Sequence, residues 1–452
     1  MKQIHFIAVG GAVMHQLALA LHEAGHTITG SDDEIADPAK SNLAAAGLLP
    51  EAGWFPDKIH AGLDAVVLGM HARADNPELI RAQELGLSVY SFPEFVCEAG
   101  KDKKRVVIAG SHGKTTITAM VMHVLQAAAL DFDYLVGARL EGFPLSVKLS
   151  DAPVFVLEGD EYPASVLEKK PKIFFYKPQI TVLNGIAWDH VNVFPTYENY
   201  LDQFRQFLQM LQPGSLLFYN ETDPEVVKLV AAEAGHLKAT PYGMPAYRYE
   251  NGIAIVTTPD GPVRLSIFGS HNLVNLEAAH AVCRSLGVSD ATFWQAMATF
   301  KGAARRLEKI AEQENLIAFR DFAHAPSKLK ATLAAVREAY SEHELLAVFE
   351  LHTFSSLSKE FLEEYHGSMA PADKAIVFFS PHALALKKLP PLDATAVAAA
   401  FGGKVTVLHS PESLQEVVTT TLQNATRPVC LLLMSSGTFE GLDWKGVFSR
   451  QD

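Results

Sequence analysis

Two glycines, a lysine and two threonines crowd into residues 105–116, RVVIAGSHGKTT, where an apolar run breaks at Gly110 and a helical pattern resumes near Lys114. This spacing suits an anion cradle. A strand over residues 106–109 that turns through Gly110, Ser111, His112 and Gly113 into a helix aims several backbone N–H groups at one point, with the positive end of the helix dipole behind them. Phosphate fits such a place: Lys114 reaches terminal phosphates, and the Thr115 hydroxyl suits a magnesium ion bridging them. The general P-loop pattern has a glycine where this chain has Ile108, so the turn is a shortened form; an ordinary strand-to-helix turn is the alternative.

Two further polar groups follow short apolar runs. Residues 154–157 deliver Glu158, Asp160 and Glu161, hard oxygen ligands suited to magnesium beside a triphosphate, or else a solvated acidic turn. Residues 181–183 end in Asn184 and then Asp189-His190, where the histidine is either a metal ligand or a packed loop residue. In a parallel sheet these tips lie side by side. Downstream, His271 and Asn272 precede an alanine-rich helix over residues 276–286 and either cap it or grip a ligand. Arg305 and Arg306 form a hinge able to clamp a phosphate, or are surface arginines. Asp321, His324, His352, Ser435 and Ser436 stand at further strand ends, and without a G-x-S-x-G elbow a serine hydrolase is not expected.

The positioning elements read as α/β throughout. A strand over residues 4–9, the pair Gly10-Gly11, a helix over residues 14–24 and a strand over residues 26–30 ending at Ser31-Asp32 keep only the middle of a dinucleotide fingerprint. That leaves another nucleotide ligand or a plain structural turn. A strand over residues 65–69 leads into a polar loop at His71, and the charged residues 101–105 read as a solvated linker. Residues 191–212 read as a helix, and residues 243–264 as short antiparallel strands. The last third alternates strands at residues 316–319, 345–350, 375–379 and 429–434 with helices, which implies parallel order.

Composition excludes several classes. The 452 residues suit two to four domains, and 48% hydrophobic with 20% charged residues suits a folded soluble protein. A net charge of −13 disfavours a general nucleic-acid binder. Cys97, Cys283 and Cys430 lie far apart, which fits a reducing cytoplasm and no structural zinc. No apolar run approaches the roughly 20 residues of a membrane-spanning helix, and no leader pattern opens the chain.

Six ordered motifs together resemble the Mur ligase family, the ATP-dependent amide-forming enzymes of peptidoglycan synthesis. They are G-x-H-G-K-T-T at 110–116, E-x-D-E at 158–161, N-x4-D-H at 184–190, H-N-x2-N at 271–275, R-R-x-E at 305–308 and D-[FY]-A-H-x-P at 321–326. The resemblance implies three domains: residues 1–102, Rossmann-like and binding a UDP substrate; 103–302, a central P-loop ATPase with a mainly parallel sheet; and 303–452, a Rossmann-like α/β domain closing over the site. It implies ATP contacts from Gly110, Ser111, His112, Gly113, Lys114, Thr115, Thr116, Asn272, Arg306 and Asp321. Magnesium falls to Thr115, Glu158 and His190, and the UDP substrate to Gly10, Gly11, Met14, Ser31, Asp32 and His71. The incoming amine falls to His324 and His352, and Lys114, His190, Arg306 and His324 carry the catalytic roles.

The implied chemistry is phosphorylation of a carboxylate by ATP, followed by attack of an amine on the acyl phosphate. The acid is UDP-N-acetylmuramate, acted on in a bacterial cytoplasm without nucleic acid or membrane as partner. The spacing from Glu158 to His190 resembles the recycling branch, which attaches L-Ala-γ-D-Glu-meso-diaminopimelate, more than the alanine-adding branch. Thr353 and Ser356 replace two arginines of the alanine-adding pattern, and residues 191–212 lack the lysine that other branches carbamylate. Departures fall at Ala8, Val13, Pro163, Ala187 and Ala325. The rival classes are a nicotinamide-dependent oxidoreductase, a nucleotide-driven switch and a catalytically inactive binding homologue.

Overall fold

The computed structural model describes residues 1–448 apart from 71, 139, 166–168, 190–192, 251 and 304, with the backbone alone of 445. The expectations placed on His71 and His190 therefore lie outside the described residues. The chain divides into two compact units, one of residues 1–186, 198–243 and 278–293, the other of residues 187–197, 244–277 and 294–452.

The first unit holds two sheets. Gln3–Ile7, Thr27–Ser31, Ala65–Leu68 and Val89–Ser91 form a parallel four-stranded sheet with Gln3–Ile7 between Thr27–Ser31 and Ala65–Leu68. A seven-stranded sheet runs, in spatial order, Lys238–Tyr242, Leu216–Asn220, Ile180–Leu183, Lys104–Ala109, Val154–Glu158, Phe132–Leu135 and Val147–Lys148, with only the last pairing antiparallel. Such strands are buried on both faces, which is why residues 106–109 read as an unbroken apolar run and are each fully buried. The charged stretch expected as a linker is only partly one. Lys104 and Arg105 belong to the strand, and Arg105 is buried because its guanidinium donates to the carbonyls of Gly100, Lys101 and Lys177.

The second unit carries a three-stranded antiparallel sheet, Tyr247–Glu250, Ile253–Thr258 and Gly261–Leu265, as the turn signals suggested. Its six-stranded sheet is ordered Glu308–Gln313, Leu316–Asp321, Val429–Met434, Glu344–Leu351, Lys374–Phe379 and Thr406–Leu408, parallel except at Glu308–Gln313. Two helices start elsewhere than expected. Ser270–Ser285 already includes His271, Asn272 and Asn275, and the helix placed at residues 191–212 is Tyr197–Met210.

Leu431 is fully buried in the central strand of the six-stranded sheet, within the cluster that joins Leu346, Val348, Ile376 and Val418. Leu431→Ala removes packing the sheet cannot recover, so it should destabilise the protein by about 2–5 kcal/mol, read as a lower denaturant midpoint.

Candidate functional site

Three strands of the seven-stranded sheet end in register. Ile108 pairs with Glu158 and Ala109 with Leu183, so the glycine turn, the acidic tip and the Asn184 tip leave the sheet at one edge. Gly110 and Gly113 take φ of 129° and 78°, a region costly for other residues, and the helix Lys114–Ala127 starts directly after them. The first turn of that helix leaves backbone N–H groups without intrahelical acceptors, the donors an anion needs. Asn184 holds the turn from the side: its amide donates to the His112 carbonyl at 3.0 Å, while the Tyr242 hydroxyl at 2.7 Å and the Asn220 amide at 2.9 Å fix Asn184 itself. A Cβ at Gly185 would lie 2.1 Å from the His112 ring, so only glycine fits there.

The three carboxylates do not gather around one point. Glu158 accepts from the Thr115 hydroxyl at 2.8 Å and the Gly137 N–H at 2.7 Å. Asp160 pairs with Lys172 at 2.7 Å. Glu161, fully buried, takes Lys114 Nζ at 2.7 Å and the Tyr200 hydroxyl at 2.7 Å. The expected acidic cluster is thus split, because two lysines and a threonine each claim a carboxylate. Burial disfavours the Lys114 ammonium, yet the charges of Glu161, Asp160 and Glu158 outweigh it and hold the lysine pKa above its ordinary value. Burial likewise opposes the Asp160 carboxylate, but Lys172 and Lys114 bring its pKa down to about 2. Thr115 and Glu158 offer hard oxygen atoms side by side, which fits a magnesium ion, although no cluster of three or more ligating residues occurs among the described residues.

The glycine pair at residues 10 and 11 is organised by an acid. Asp32 Oδ2 accepts the Gly10 N–H at 2.7 Å, the Ser31 carbonyl accepts those of Ala8 and Val9, and Met14 is buried behind Gly11. Ala8 holds φ of 63°, so alanine keeps a glycine-like turn at this position. Asp32 therefore braces the turn, and burial, partly offset by the Gly10 N–H, raises its pKa.

In the second unit, Asp321 is consumed by structure. Its carboxylate accepts from the Leu307 and Ala323 N–H groups at 2.8 Å each and from Thr332 at 3.1 Å. Arg305 is also committed, to the Ser435 and Gly437 carbonyls at 3.1 and 2.6 Å, so of the two expected clamps only Arg306 keeps its role open. Both guanidiniums lie over the Phe322 ring, at 5.0 and 4.9 Å, and His324 meets the edge of that ring. His324 Nδ1 donates to the Phe322 carbonyl at 2.9 Å. Burial, reinforced by Lys328, lowers its pKa to about 3, so it is a neutral ring with Nε2 as the acceptor. Lys328 pairs with Asp189 at 2.8 Å. Asn272 donates to the Phe268 carbonyl at 3.0 Å, and the buried His271 Nδ1 has no hydrogen-bond partner among the described residues. His352 lies 3.6 Å from Glu350, whose carboxylate is buried and accepts from Ser435 and the Phe439 N–H.

Three family models cover most of the chain. The Mur ligase middle domain matches residues 108–283, the Mur ligase family catalytic domain residues 3–104, and the Mur ligase glutamate ligase domain residues 305–437. A UDP-N-acetylmuramate–L-alanine ligase of Arthrobacter sp. strain FB24 is 32% identical over 83% of this chain and 80% of its own length. The chain belongs to the Mur ligase family. Among solved Mur ligases it is similar to the UDP-N-acetylmuramate:L-alanyl-gamma-D-glutamyl-meso-diaminopimelate ligase of Neisseria meningitides, 27% identical over 68% of this chain and 100% of that one, TM-score 0.60. It also shares the fold of the UDP-N-acetylmuramate-alanine ligase of Thermotoga maritima, at 19% identity, 100% and 99% coverage and TM-score 0.70. The protein is accordingly an ATP-dependent, carbon–nitrogen bond-forming ligase of the three-domain α/β Mur type, with mainly parallel sheets.

Sequence reasoning on this Mur ligase missed Lys172, Tyr200 and Lys328, three partners that decide which carboxylate is available. Lys172 carried a weak signal as one of three lysines, with Lys169 and Lys170, shortly after the acidic tip; the other two become visible only with tertiary pairing. Asp160, with its pKa lowered from 3.8 to about 2, stabilises the fold fully above 3.8 and loses that contribution as pH falls through about 2. Asp160→Asn should flatten the fall in urea midpoint over that window, and an unchanged slope would contradict the pairing.

Proposed function

We propose that the enzyme joins an amine to the carboxylate of UDP-N-acetylmuramate through an acyl phosphate. The observation that carries this reading is the Lys114 cradle: a glycine turn, a helix start and an ammonium held by Glu161, with Thr115 against Glu158 beside it. When ATP binds, Lys114 exchanges Glu161 for the terminal phosphate and neutralises charge developing during transfer. Thr115 and Glu158 would hold a magnesium ion, which would supply further neutralisation of phosphate charge. Arg306, backed by the Phe322 ring, is assigned to a phosphate contact, and Asp321 shapes the turn behind it. His324, being neutral, accepts a hydrogen bond from the incoming amine and orients its lone pair rather than acting as a strong base. Gly10, Gly11, Met14, Ser31 and Asp32 form the turn we assign to the UDP-sugar. Use of ATP and a UDP-sugar supports action in the bacterial cytoplasm, and no helix among the described residues is long and apolar enough to cross a membrane.

For the amine, the curated relatives support L-alanine, as in the Arthrobacter enzyme, over the tripeptide expected from the sequence. One observation favours the tripeptide as a second reading. Thr353 and Ser356 close on each other, Oγ1 to Oγ at 2.9 Å, with Ser356 fully buried, so neither position offers a cation for a free amino-acid carboxylate.

Incubation with ATP, magnesium and UDP-N-acetylmuramate, with L-alanine or the tripeptide as amine and product mass as readout, separates the two. Faster coupling of the tripeptide would overturn the L-alanine reading; no coupling of either would overturn the substrate class. Lys114→Ala should lower coupling by roughly 10³-fold or more. Because this removes the cation beside the buried Glu161 carboxylate, the loss is best measured as Lys114→Ala/Glu161→Gln against Glu161→Gln alone.

A further inference from the structure

Lys328 lies in the first turn of the helix Pro326–Ala339, with its side chain 19% exposed. A cation there faces the positive end of the helix dipole, and its long stem loses rotamer freedom on burial, so helix stability does not explain it. What accompanies it is a specific arrangement. Nζ donates to Asp189 Oδ2 at 2.8 Å and lies 3.4 Å from His324 Nε2, the acceptor nitrogen of the neutral ring. His324 is fixed on its other sides too: Nδ1 is tied to the Phe322 carbonyl at 2.9 Å, and the Tyr365 hydroxyl donates to the His324 carbonyl at 2.5 Å. The segment carrying Asp189 is anchored in turn, with Trp188 edge-on to Phe361 and its Nε1 donating to the Phe194 carbonyl at 3.0 Å.

We infer that Lys328 is a positioning residue for the amine-transfer step: clamped by Asp189, its ammonium stands against His324 Nε2 and limits the direction from which an amine can reach that nitrogen. Lys328 thereby acts through His324 rather than on the reacting atoms. A hydrogen bond at 3.4 Å is weak enough for an amine N–H to replace it, while the Asp189 pair keeps the lysine from following. The electrostatics agree, since after burial itself the Lys328 charge is the largest influence keeping His324 unprotonated, and Asp189 and Arg306 also act on the ring. On this assignment the trio acts after the acid is phosphorylated, so the two half-reactions should respond differently to its removal.

The inference rests on the amide-ligase reading and is tested beside it. Wild type, Lys328→Met, Lys328→Arg and Lys328→Met/Asp189→Asn are compared with ATP, UDP-N-acetylmuramate and whichever of L-alanine or the tripeptide wild type couples. Positional isotope exchange within ATP, without amine, reports the phosphoryl step. Lys328→Met should lower kcat/KM for the amine by roughly tenfold or more while isotope exchange and the KM for ATP stay within about twofold of wild type. Lys328→Arg should recover most of the loss, and adding Asp189→Asn to Lys328→Met should cost little more, because the two side chains act as one unit. Wild-type amine kinetics in Lys328→Met, an equal loss in isotope exchange, or no recovery with arginine would overturn the inference. A wild-type enzyme that couples neither amine would overturn the underlying reading instead.

Discussion

The ion pair between Lys114 and Glu161 sets the terms for everything around it. An ammonium only 14% exposed must have a negative partner, and Glu161, with no exposure at all, supplies one from inside the protein. Dehydrating both charges is costly, and the attraction offsets that only with good geometry and further hydrogen bonds, here from Tyr200 to the carboxylate and from Lys114 to the Gly110 carbonyl. The turn therefore holds its lysine charged and in place, and in the proposed reaction a phosphate would gain by taking over that cation. The in-register strand ends, the positive-φ glycines and the Asn184 brace all serve to keep that one ammonium at the start of the helix.

In the second unit an aromatic ring has the organising role. Phe322 carries two guanidiniums on its ring, meets His324 at its edge and fixes the imidazole through its own carbonyl. Asp321, immediately before it, ties down the backbone of Leu307 and Ala323. The arginine proposed for phosphate and the histidine proposed for the amine thus both pack on Phe322, and their separation depends on a ring rather than on flexible side chains. That arrangement suits a reaction in which positioning contributes more than covalent chemistry by the protein.

Local sequence carried the parts that local physics decides. The turn from Ala109 to Lys114 was legible because glycine, lysine and threonine at that spacing have few other uses, and the parallel sheets because strands buried on both faces are apolar throughout. Competition between charges was not legible. Glu158, Asp160 and Glu161 look equivalent in sequence, and only the positions of Thr115, Lys172 and Lys114 distinguish them. Asp32 and Arg305 read as ligand contacts, and each also satisfies backbone groups far from it in the chain, at Gly10 and at Ser435 and Gly437, which no local signal announces. The helix at Ser270 began earlier than its alanine-rich body suggested, because His271 and Asn272 are poor helix formers by type yet lie in its first turn, where the Asn272 amide donates locally to the Phe268 carbonyl.

The acyl phosphate is the central chemical claim, and oxygen transfer tests it most directly. UDP-N-acetylmuramate labelled with ¹⁸O in its carboxylate is turned over with ATP and the amine, and the inorganic phosphate released is analysed by mass. The account predicts one labelled oxygen in each phosphate, since the carboxylate oxygen that attacks ATP leaves with the phosphoryl group. Phosphate without label would contradict it.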